Sequence, residues 1–214
     1  PDGKTLAYVA MKRPGFEADR FQFVMMDVAT GKKHTLADAW DRSVDSFRWS
    51  SDGKSLIASA HDLGQHRLFS VDVGNGKVTP ATGKGSVSAA DVRGNTLGFA
   101  QANLGSGGQL YKARLGDAAP PVQLTRLNEA LLADVRFGEF EQFSFVGAKG
   151  ETVYGHVMKP WNATAGGKYP IAFLVHGGPQ SSFGNGWSYR WNPQTYAGAG
   201  YASVFIDFHG STGY

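Results

Sequence analysis

The stretch FLVHGGP at residues 173–179, together with VFIDFHGSTGY at residues 204–214, decides the fold of this chain. Each begins as an apolar, β-branched run and breaks abruptly at glycine. A buried strand of a parallel sheet has this pattern where it ends in a loop, and ligands of open α/β sheets bind at such loops. We therefore predict two parallel strands whose carboxyl ends border a site of ligand binding and chemistry.

The segment between these stretches completes a βαβ unit. Residues 195–200 read TYAGAG and predict the end of a helix with a glycine C-cap. Strand, helix and strand joined by short connections require a parallel sheet. Before them, residues 143–146 and 152–158 predict a hairpin. Because one helix cannot cover both faces of a parallel sheet, we expect further chain beyond Tyr214 and interpret these residues as a fragment.

The first half of the chain repeats itself. PDGKTLAYVA at residues 1–10 is echoed by SDGKSLIASA at 51–60 and more weakly by VRGNTLGFA at 92–100. Each copy predicts a tight turn before a strand, and a second strand and turn follow it; the pair Asn75-Gly76 predicts a type I′ hairpin. Four short strands per repeat are typical of a β-propeller. We predict about three blades, the first without its opening strand, with an open β-sandwich as the alternative.

Composition excludes several classes of function. With 42% apolar and 18% charged residues and 29 glycines, the chain has a globular, turn-rich composition. The net charge of +3 is spread along the chain, so we expect neither a nucleic-acid partner nor a membrane surface as a partner. The chain has no cysteine, which excludes disulfides, thiolate metal sites and a cysteine nucleophile, but does not determine the compartment.

These features together resemble the prolyl oligopeptidase family of serine peptidases. The resemblance rests on the Asp-Gly-Lys repeats that lead into strands ending in HGGP and DFHGSTGY. Within the family, the chain is most similar to the bacterial dipeptidyl peptidase V and acylaminoacyl peptidase group. The resemblance implies a multidomain β plus α/β protein: propeller blades over residues 1–126, a connector over 127–139, and the start of an α/β-hydrolase domain over 140–214. It favours a periplasmic or secreted location over the cytoplasm.

The family's mechanism is acyl transfer through a Ser-His-Asp triad, and the resemblance implies an exopeptidase that releases dipeptides from peptide amino termini. The backbone N–H of Gly178, with that of Gly177 second, is expected to stabilise the oxyanion, as the HGGG-type loop does in α/β-hydrolases. No Gly-x-Ser-x-Gly elbow occurs in the sequence. We expect the triad in the rest of the polypeptide, so that this chain alone is inactive, and we expect no cofactor and no metal. The expected partners are peptide substrates and the remaining chain; a homodimer is left open.

Two acidic residues are candidates for binding the substrate amine. A dipeptidyl peptidase must hold a free α-ammonium group, and a carboxylate does so best. Glu17, ahead of Asp19, has this role in our prediction; the alternative is a solvated loop that includes Arg13 and Arg20. Trp187 and Tyr189 are predicted to form an apolar wall for substrate side chains, with core packing as the alternative.

The remaining candidates have structural interpretations. We expect His176 to shape the glycine loop by hydrogen bonding, and Asp207 to accept structural hydrogen bonds instead of acting as the triad acid. His209 either lines the pocket or packs its loop. The other histidines show no metal-ligand spacing, so surface or hydrogen-bonded positions are expected for them; they are His34, His61, His66 and His156.

Two other functions are weighed. An acylaminoacyl peptidase or endo-oligopeptidase would share the fold but would need no carboxylate for a free amine. A non-catalytic binding propeller would have no need of the His-Gly-Gly-Pro turn.

Overall fold

The computed structural model describes residues 1–178 and 180–214, so Pro179 of the predicted glycine turn lies outside the described residues. The described chain is mostly strand, with two short α-helices and one 3₁₀ turn. Within this part of the chain, no helix is long and apolar enough to cross a membrane.

The first eleven strands form antiparallel groups of three, four and four strands, and no sheet closes on itself within the described residues. Their bounds are β1 Thr5–Ala10, β2 Gln22–Asp27, β3 Lys33–Leu36, β4 Ser46–Trp49, β5 Ser55–Asp62, β6 Gln65–Asp72, β7 Val78–Pro80, β8 Ser86–Arg93, β9 Thr96–Asn103, β10 Ser106–Arg114 and β11 Val122–Gln123. One parallel pair, His66 with Ser86, joins the second and third groups into a single eight-stranded sheet.

The predicted turns of the repeats are present in the structure. The Asp2 and Asp52 carboxylates each accept a hydrogen bond from the backbone N–H two residues later, at 3.0 Å. Gly3 and Gly53 follow with φ of 75° and 70°, a conformation that glycine adopts without a steric cost. Strands β1 and β5 begin directly after these turns, so the turn and strand predicted for each full copy of the repeat are confirmed.

The hairpin predicted at Asn75-Gly76 is confirmed, but the predicted type I′ turn is wrong. Strands β6 and β7 pair on either side of it, yet among the described residues Gly76 has positive φ and Asn75 does not. The loop is longer because Asp72 Oδ1 accepts hydrogen bonds from the N–H groups of Gly74 and Asn75, both at 2.9 Å. The positive-φ pair of a type I′ turn occurs instead at Leu63 (φ 49°) and Gly64 (φ 73°), between β5 and β6.

Apolar side chains between neighbouring groups of strands make the core. One cluster joins the first group to the second and includes Phe23, Met25, Leu56 and Val71. Another joins the second group to the third and includes Ile57, Leu68, Val87, Leu97 and Phe99. Strand β5 supplies both clusters, Leu56 to one and Ile57 to the other, because successive side chains of a strand point to opposite faces.

The connector after β11 contains the short helix α1, Glu129–Leu132. Asn128, directly before this helix, has φ 62°, and its side chain makes no capping hydrogen bond. Left-handed backbone is tolerated by asparagine, so the residue is used here for its conformation and not for its side-chain oxygen.

The last part of the chain is a four-stranded mixed sheet in the order β12-β13-β15-β14. Its elements are β12 Phe140–Val146, a 3₁₀ turn Ala148–Gly150, β13 Thr152–Met158, β14 Ile171–Leu174, α2 Pro193–Gly198 and β15 Ala202–Asp207. Strands β14 and β15 are parallel, which confirms the βαβ unit, and β13 runs antiparallel to β15. The side chain of Asn192 caps α2, and Gly200 (φ 91°) follows its end as predicted.

Candidate active site

A cavity of about 880 Å³ lies where the loop between β1 and β2 meets the loop after β15. It is lined by residues 17–21, 41–43, 45, 61, 151–153, 180–181 and 207–214. The two predicted amine ligands, Glu17 and Asp19, therefore border the same space as the carboxyl end of β15. This arrangement joins segments almost 200 residues apart in the sequence.

An ion pair between Arg13 and Asp19 stabilises the loop that carries Glu17. The Arg13 side chain binds the Asp19 carboxylate through Nε at 3.0 Å and through a short contact from Nη2, and the Arg13 N–H donates to the same carboxylate at 2.8 Å. The hydrogen bond from the Arg13 side chain lowers the pKa of the Asp19 carboxyl. Asp19 thus already has a cationic partner, whereas Glu17 is exposed and forms no ion pair among the described residues.

The described part of the glycine turn consists of two exposed glycines. Gly177 and Gly178 are exposed, and within the described residues neither backbone N–H donates a hydrogen bond. Gly178 has φ 137°, and a Cβ there would lie 2.8 Å from the Gln180 nitrogen, so only glycine fits. Ser181, shortly after the turn, lines the cavity and accepts a hydrogen bond from the Thr212 N–H at 2.9 Å.

His176 shapes this loop, as predicted. Its Nδ1 lies 2.8 Å from the Gly177 carbonyl oxygen, and its Nε2 lies 2.9 Å from Ser211 Oγ. The ring stacks on Phe208 with 4.4 Å between centroids. Asp207 Oδ1 is 3.7 Å from the same Nε2. A catalytic histidine holds its serine and its carboxylate on opposite ring nitrogens, so Ser211, His176 and Asp207 are not arranged as a triad.

Asp207 is a buried acceptor, which confirms its structural interpretation. Its carboxylate accepts from Ser182 Oγ at 2.6 Å, from the Phe183 N–H at 3.0 Å, and from the Tyr214 hydroxyl in a short contact. Burial first, and then the bond to Asp207, raise the pKa of the Tyr214 hydroxyl. The hydroxyl therefore stays protonated and donates to Asp207, which ties the end of the loop to β15.

Trp187 and Tyr189 do not border this cavity, which removes the support for a wall beside Glu17. Trp187 packs edge-on against Phe137 at 5.7 Å and against Tyr189 at 6.0 Å. Both side chains face Gly107, where a Cβ would lie 2.9 Å from the Tyr189 hydroxyl. Trp187 follows the packing alternative, while Tyr189 is 82% exposed on another surface.

His209 lines the cavity from its rim. Its side chain is exposed, and Nδ1 lies 2.6 Å from Glu151 Oε2. The pocket alternative for His209 is the one that the structure favours.

The structure also brings together three side chains that the sequence analysis did not combine. Asp45, His61 and His66 each place one donor atom within 4.8 Å of the others. Four residues separate the two histidines in the sequence, and the register of β5 and β6 pairs His61 with His66 directly. Residues paired across antiparallel strands lie on the same face.

No family model matches the chain, but proteins of known name do. The dipeptidyl-peptidase 5 of Schizosaccharomyces pombe is 33% identical over 221 residues, and that of Trichophyton schoenleinii is 33% identical over 224 residues; both matches cover the whole of this chain. The chain is similar to peptidases of the prolyl oligopeptidase family. This confirms the family resemblance.

The chain spans about a third of the length of these relatives, namely 31% and 30%. Its fold is similar to that of Pyrococcus horikoshii acylaminoacyl peptidase, with a TM-score of 0.82 and 23% identity. That match covers all of this chain and 32% of the other. The fold of this chain is therefore one that is known from a solved peptidase structure.

Proposed function

We propose that the polypeptide containing this chain is a serine exopeptidase that releases dipeptides from peptide amino termini. The observation that supports this most directly is the cavity that Glu17, which forms no ion pair among the described residues, shares with the loop after β15. Identity of 33% to proteins named dipeptidyl-peptidase 5 supports the same substrate class.

The proposed architecture has three parts. Residues 1–126 form blades of a β-propeller in this proposal, which the antiparallel groups of three, four and four strands support. Residues 127–139 are a connector. Residues 140–214 begin an α/β-hydrolase domain, and the parallel pair of β14 and β15 flanking α2 supports that assignment. Exposed Ile171 and Phe173 on β14, at 65% and 55%, are the face that further elements of such a domain would cover.

In the proposed mechanism this chain supplies donors for the oxyanion. The Gly178 N–H, with that of Gly177 second, points at the carbonyl oxygen that gains negative charge when the serine attacks. One such donor stabilises a transition state by about 3 kcal/mol. Because the sequence has no Gly-x-Ser-x-Gly elbow, the triad belongs to the remaining polypeptide.

Glu17 is the proposed ligand of the substrate ammonium group. A carboxylate without a cationic partner attracts the free amine, and its fixed distance from the nucleophile sets how many residues precede the cleaved bond. Asp19, bound by Arg13, holds the loop that presents Glu17 and is not itself the amine ligand. The alternative is an acylaminoacyl peptidase, which the similarity to the Pyrococcus structure supports and which would not need Glu17.

The decisive experiment is Glu17→Gln in the full-length protein. We expect kcat/KM for substrates with a free amino terminus to fall at least about 10-fold, since a charged hydrogen bond is worth about 1.5–3 kcal/mol. Amino-acetylated substrates should be unaffected. Glu129→Gln, an exposed acid outside the cavity, is the matched control.

Equal loss on both substrates, or no loss on either, would refute the amine-binding role of Glu17. Labelling of the full-length protein by a fluorophosphonate tests the reaction class separately. Absence of labelling would contradict the serine peptidase assignment whatever the role of Glu17.

A further inference from the structure

Three metal-ligand side chains meet at the edge of the cavity. Asp45 lies directly before β4, His61 lies near the end of β5, and His66 lies near the start of β6. The tight turn at Leu63-Gly64 pairs the two histidines, and their rings lie 4.7 Å apart. The site is therefore built on adjacent strands of one sheet, which hold their side chains more rigidly than loops do.

His66 is oriented as metal-bound histidines are. Its Nδ1 forms a short hydrogen bond with the Val87 carbonyl oxygen, which places the Nδ1 proton on that side. Its Nε2 faces the Asp45 carboxylate at 2.9 Å. A histidine ligand commonly donates its second N–H to a backbone carbonyl, which fixes the ring and its tautomer. Nε2 is thus the nitrogen available to an ion beside Asp45.

His61 has an unsatisfied ring nitrogen. Its Nδ1 is buried and has no hydrogen-bond partner among the described residues. Buried polar atoms in folded proteins are normally paired, so an unpaired imidazole nitrogen calls for an explanation.

We propose that Asp45, His61 and His66 bind one divalent transition-metal ion of the Zn²⁺ type. Two imidazole nitrogens with one carboxylate oxygen suit Zn²⁺ better than Mg²⁺ or Ca²⁺, which prefer oxygen ligands throughout. Tetrahedral Zn²⁺ holds nitrogen ligands about 3.3 Å apart, given bonds of 2.0–2.1 Å. The ligand atoms of the three residues lie within 4.8 Å of one another. Small rotations of exposed Asp45 and of the two rings would shorten these distances to about the tetrahedral value.

The fourth coordination position faces the cavity, since Asp45 and His61 both line it. A water molecule or a ligand atom occupies it when the ion is bound. The ion then joins β4, β5 and β6 beside Gly213, whose Cβ position lies 2.9 Å from His61 Cβ. This site does not depend on the proposed peptidase activity.

The test is titration of chelator-treated full-length protein with Zn²⁺, followed by calorimetry and by the thermal unfolding midpoint. We expect one strong site per chain and a higher midpoint with Zn²⁺, because an ion that binds only the folded state stabilises it. Co²⁺ in the same site should give the visible absorption of tetrahedral cobalt.

Two variants and one control assign the ligands. His61→Gln and Asp45→Asn should each weaken Zn²⁺ binding at least 10-fold, and exposed Asp45 provides a variant that does not disturb the interior. His34→Gln, on exposed β3, should bind as the unsubstituted protein does. Absence of a saturable site, or equal affinity in all three variants, would overturn the proposal.

Discussion

Glu17 and Asp207 border the same cavity, yet their carboxylates have opposite surroundings. Asp207 is buried, and its carboxylate oxygens accept hydrogen bonds from Ser182, Phe183 and Tyr214 within the fold. Glu17 is exposed and has no cationic partner among the described residues. The first therefore shapes the loop after β15, and the second is available to a substrate.

His156 shows what burial does to a basic side chain. It is 4% exposed and stacks on Phe205 with 5.5 Å between ring centroids. Burial lowers the pKa of His156 from 6.5 to about 4, opposed by the charge of Asp207 and assisted by that of Lys84. The ring is therefore neutral in the folded protein over a range in which it is protonated in the unfolded chain.

This difference predicts a loss of stability in acid. Because the unfolded state binds the proton more tightly, the contribution of neutral His156 is complete above pH 6.5 and is lost as the pH falls toward 4. Between pH 7 and 5 we expect it to lower the free energy of unfolding by roughly 2 kcal/mol. Urea unfolding at both pH values should show a smaller difference in His156→Gln, with His34→Gln as control. An unchanged pH dependence would contradict the neutral buried state.

At the scale of elements, the turn between β5 and β6 forms hydrogen bonds to three later segments of the chain. The Leu63 N–H donates to the Gly213 carbonyl oxygen at 2.9 Å, and the Leu63 carbonyl oxygen accepts from Gln142 Nε2 at 2.7 Å. The Gly64 carbonyl oxygen accepts from the Asn185 N–H at 2.7 Å. One hairpin tip therefore positions the loop after β15, strand β12 and the segment after the glycine turn.

Gly213→Ala should separate that loop from the hairpin. Gly213 has φ 94°, and its Cβ position lies 2.9 Å from His61 Cβ and 3.1 Å from the Asp62 nitrogen. We expect a loss of about 2–3 kcal/mol, since overpacking adds to the cost of left-handed backbone. Gly166→Ala, with φ 74° and no neighbour within 4 Å, measures the backbone cost alone. Equal losses in urea unfolding of the two variants would show that the loop does not pack as described.

At the scale of the whole molecule, buried amides connect the first eleven strands to the last sheet. Asn185 Nδ2 donates to Gln65 Oε1 at 3.0 Å, and Asn185 Oδ1 accepts from the Leu104 N–H at 3.0 Å. Gln194 Nε2 donates to the Leu104 carbonyl oxygen at 3.1 Å. These bonds hold the two parts in one arrangement, and the cavity forms where they meet.

Asn185→Ala should weaken that connection. The substitution leaves the buried Leu104 N–H without its acceptor and also removes the hydrogen bond to Gln65. Together these losses should lower the free energy of unfolding by about 2–3 kcal/mol. We expect a lower urea midpoint and faster proteolysis within residues 127–139. Asn162→Ala, in an exposed turn, should change neither quantity. Proteolysis of both variants at the rate of the unsubstituted protein would contradict a connecting role for Asn185.

The strands, the repeats and the βαβ unit were predictable from the sequence because they depend on local patterns. Apolar alternation, an Asp-Gly turn and a glycine after a helix act over a few residues, and those elements are present in the structure. Asn75-Gly76 is the instructive exception. There the Asp72 side chain accepts hydrogen bonds from the backbone of a longer loop. The positive-φ pair of a type I′ turn lies instead at Leu63-Gly64, where no residue pattern predicted it.

The sequence by itself determined the resemblance to a peptidase family, the order of the elements and the position of the glycine turn. Only the tertiary structure decided which polar groups are already paired. In the structure Asp19 pairs with Arg13, and Trp187 and Tyr189 lie outside the cavity lining. Asp45 lies beside His61 and His66. The reason is physical: local patterns specify strands and turns, whereas charge pairing and ligand clusters depend on distances between segments far apart in the chain.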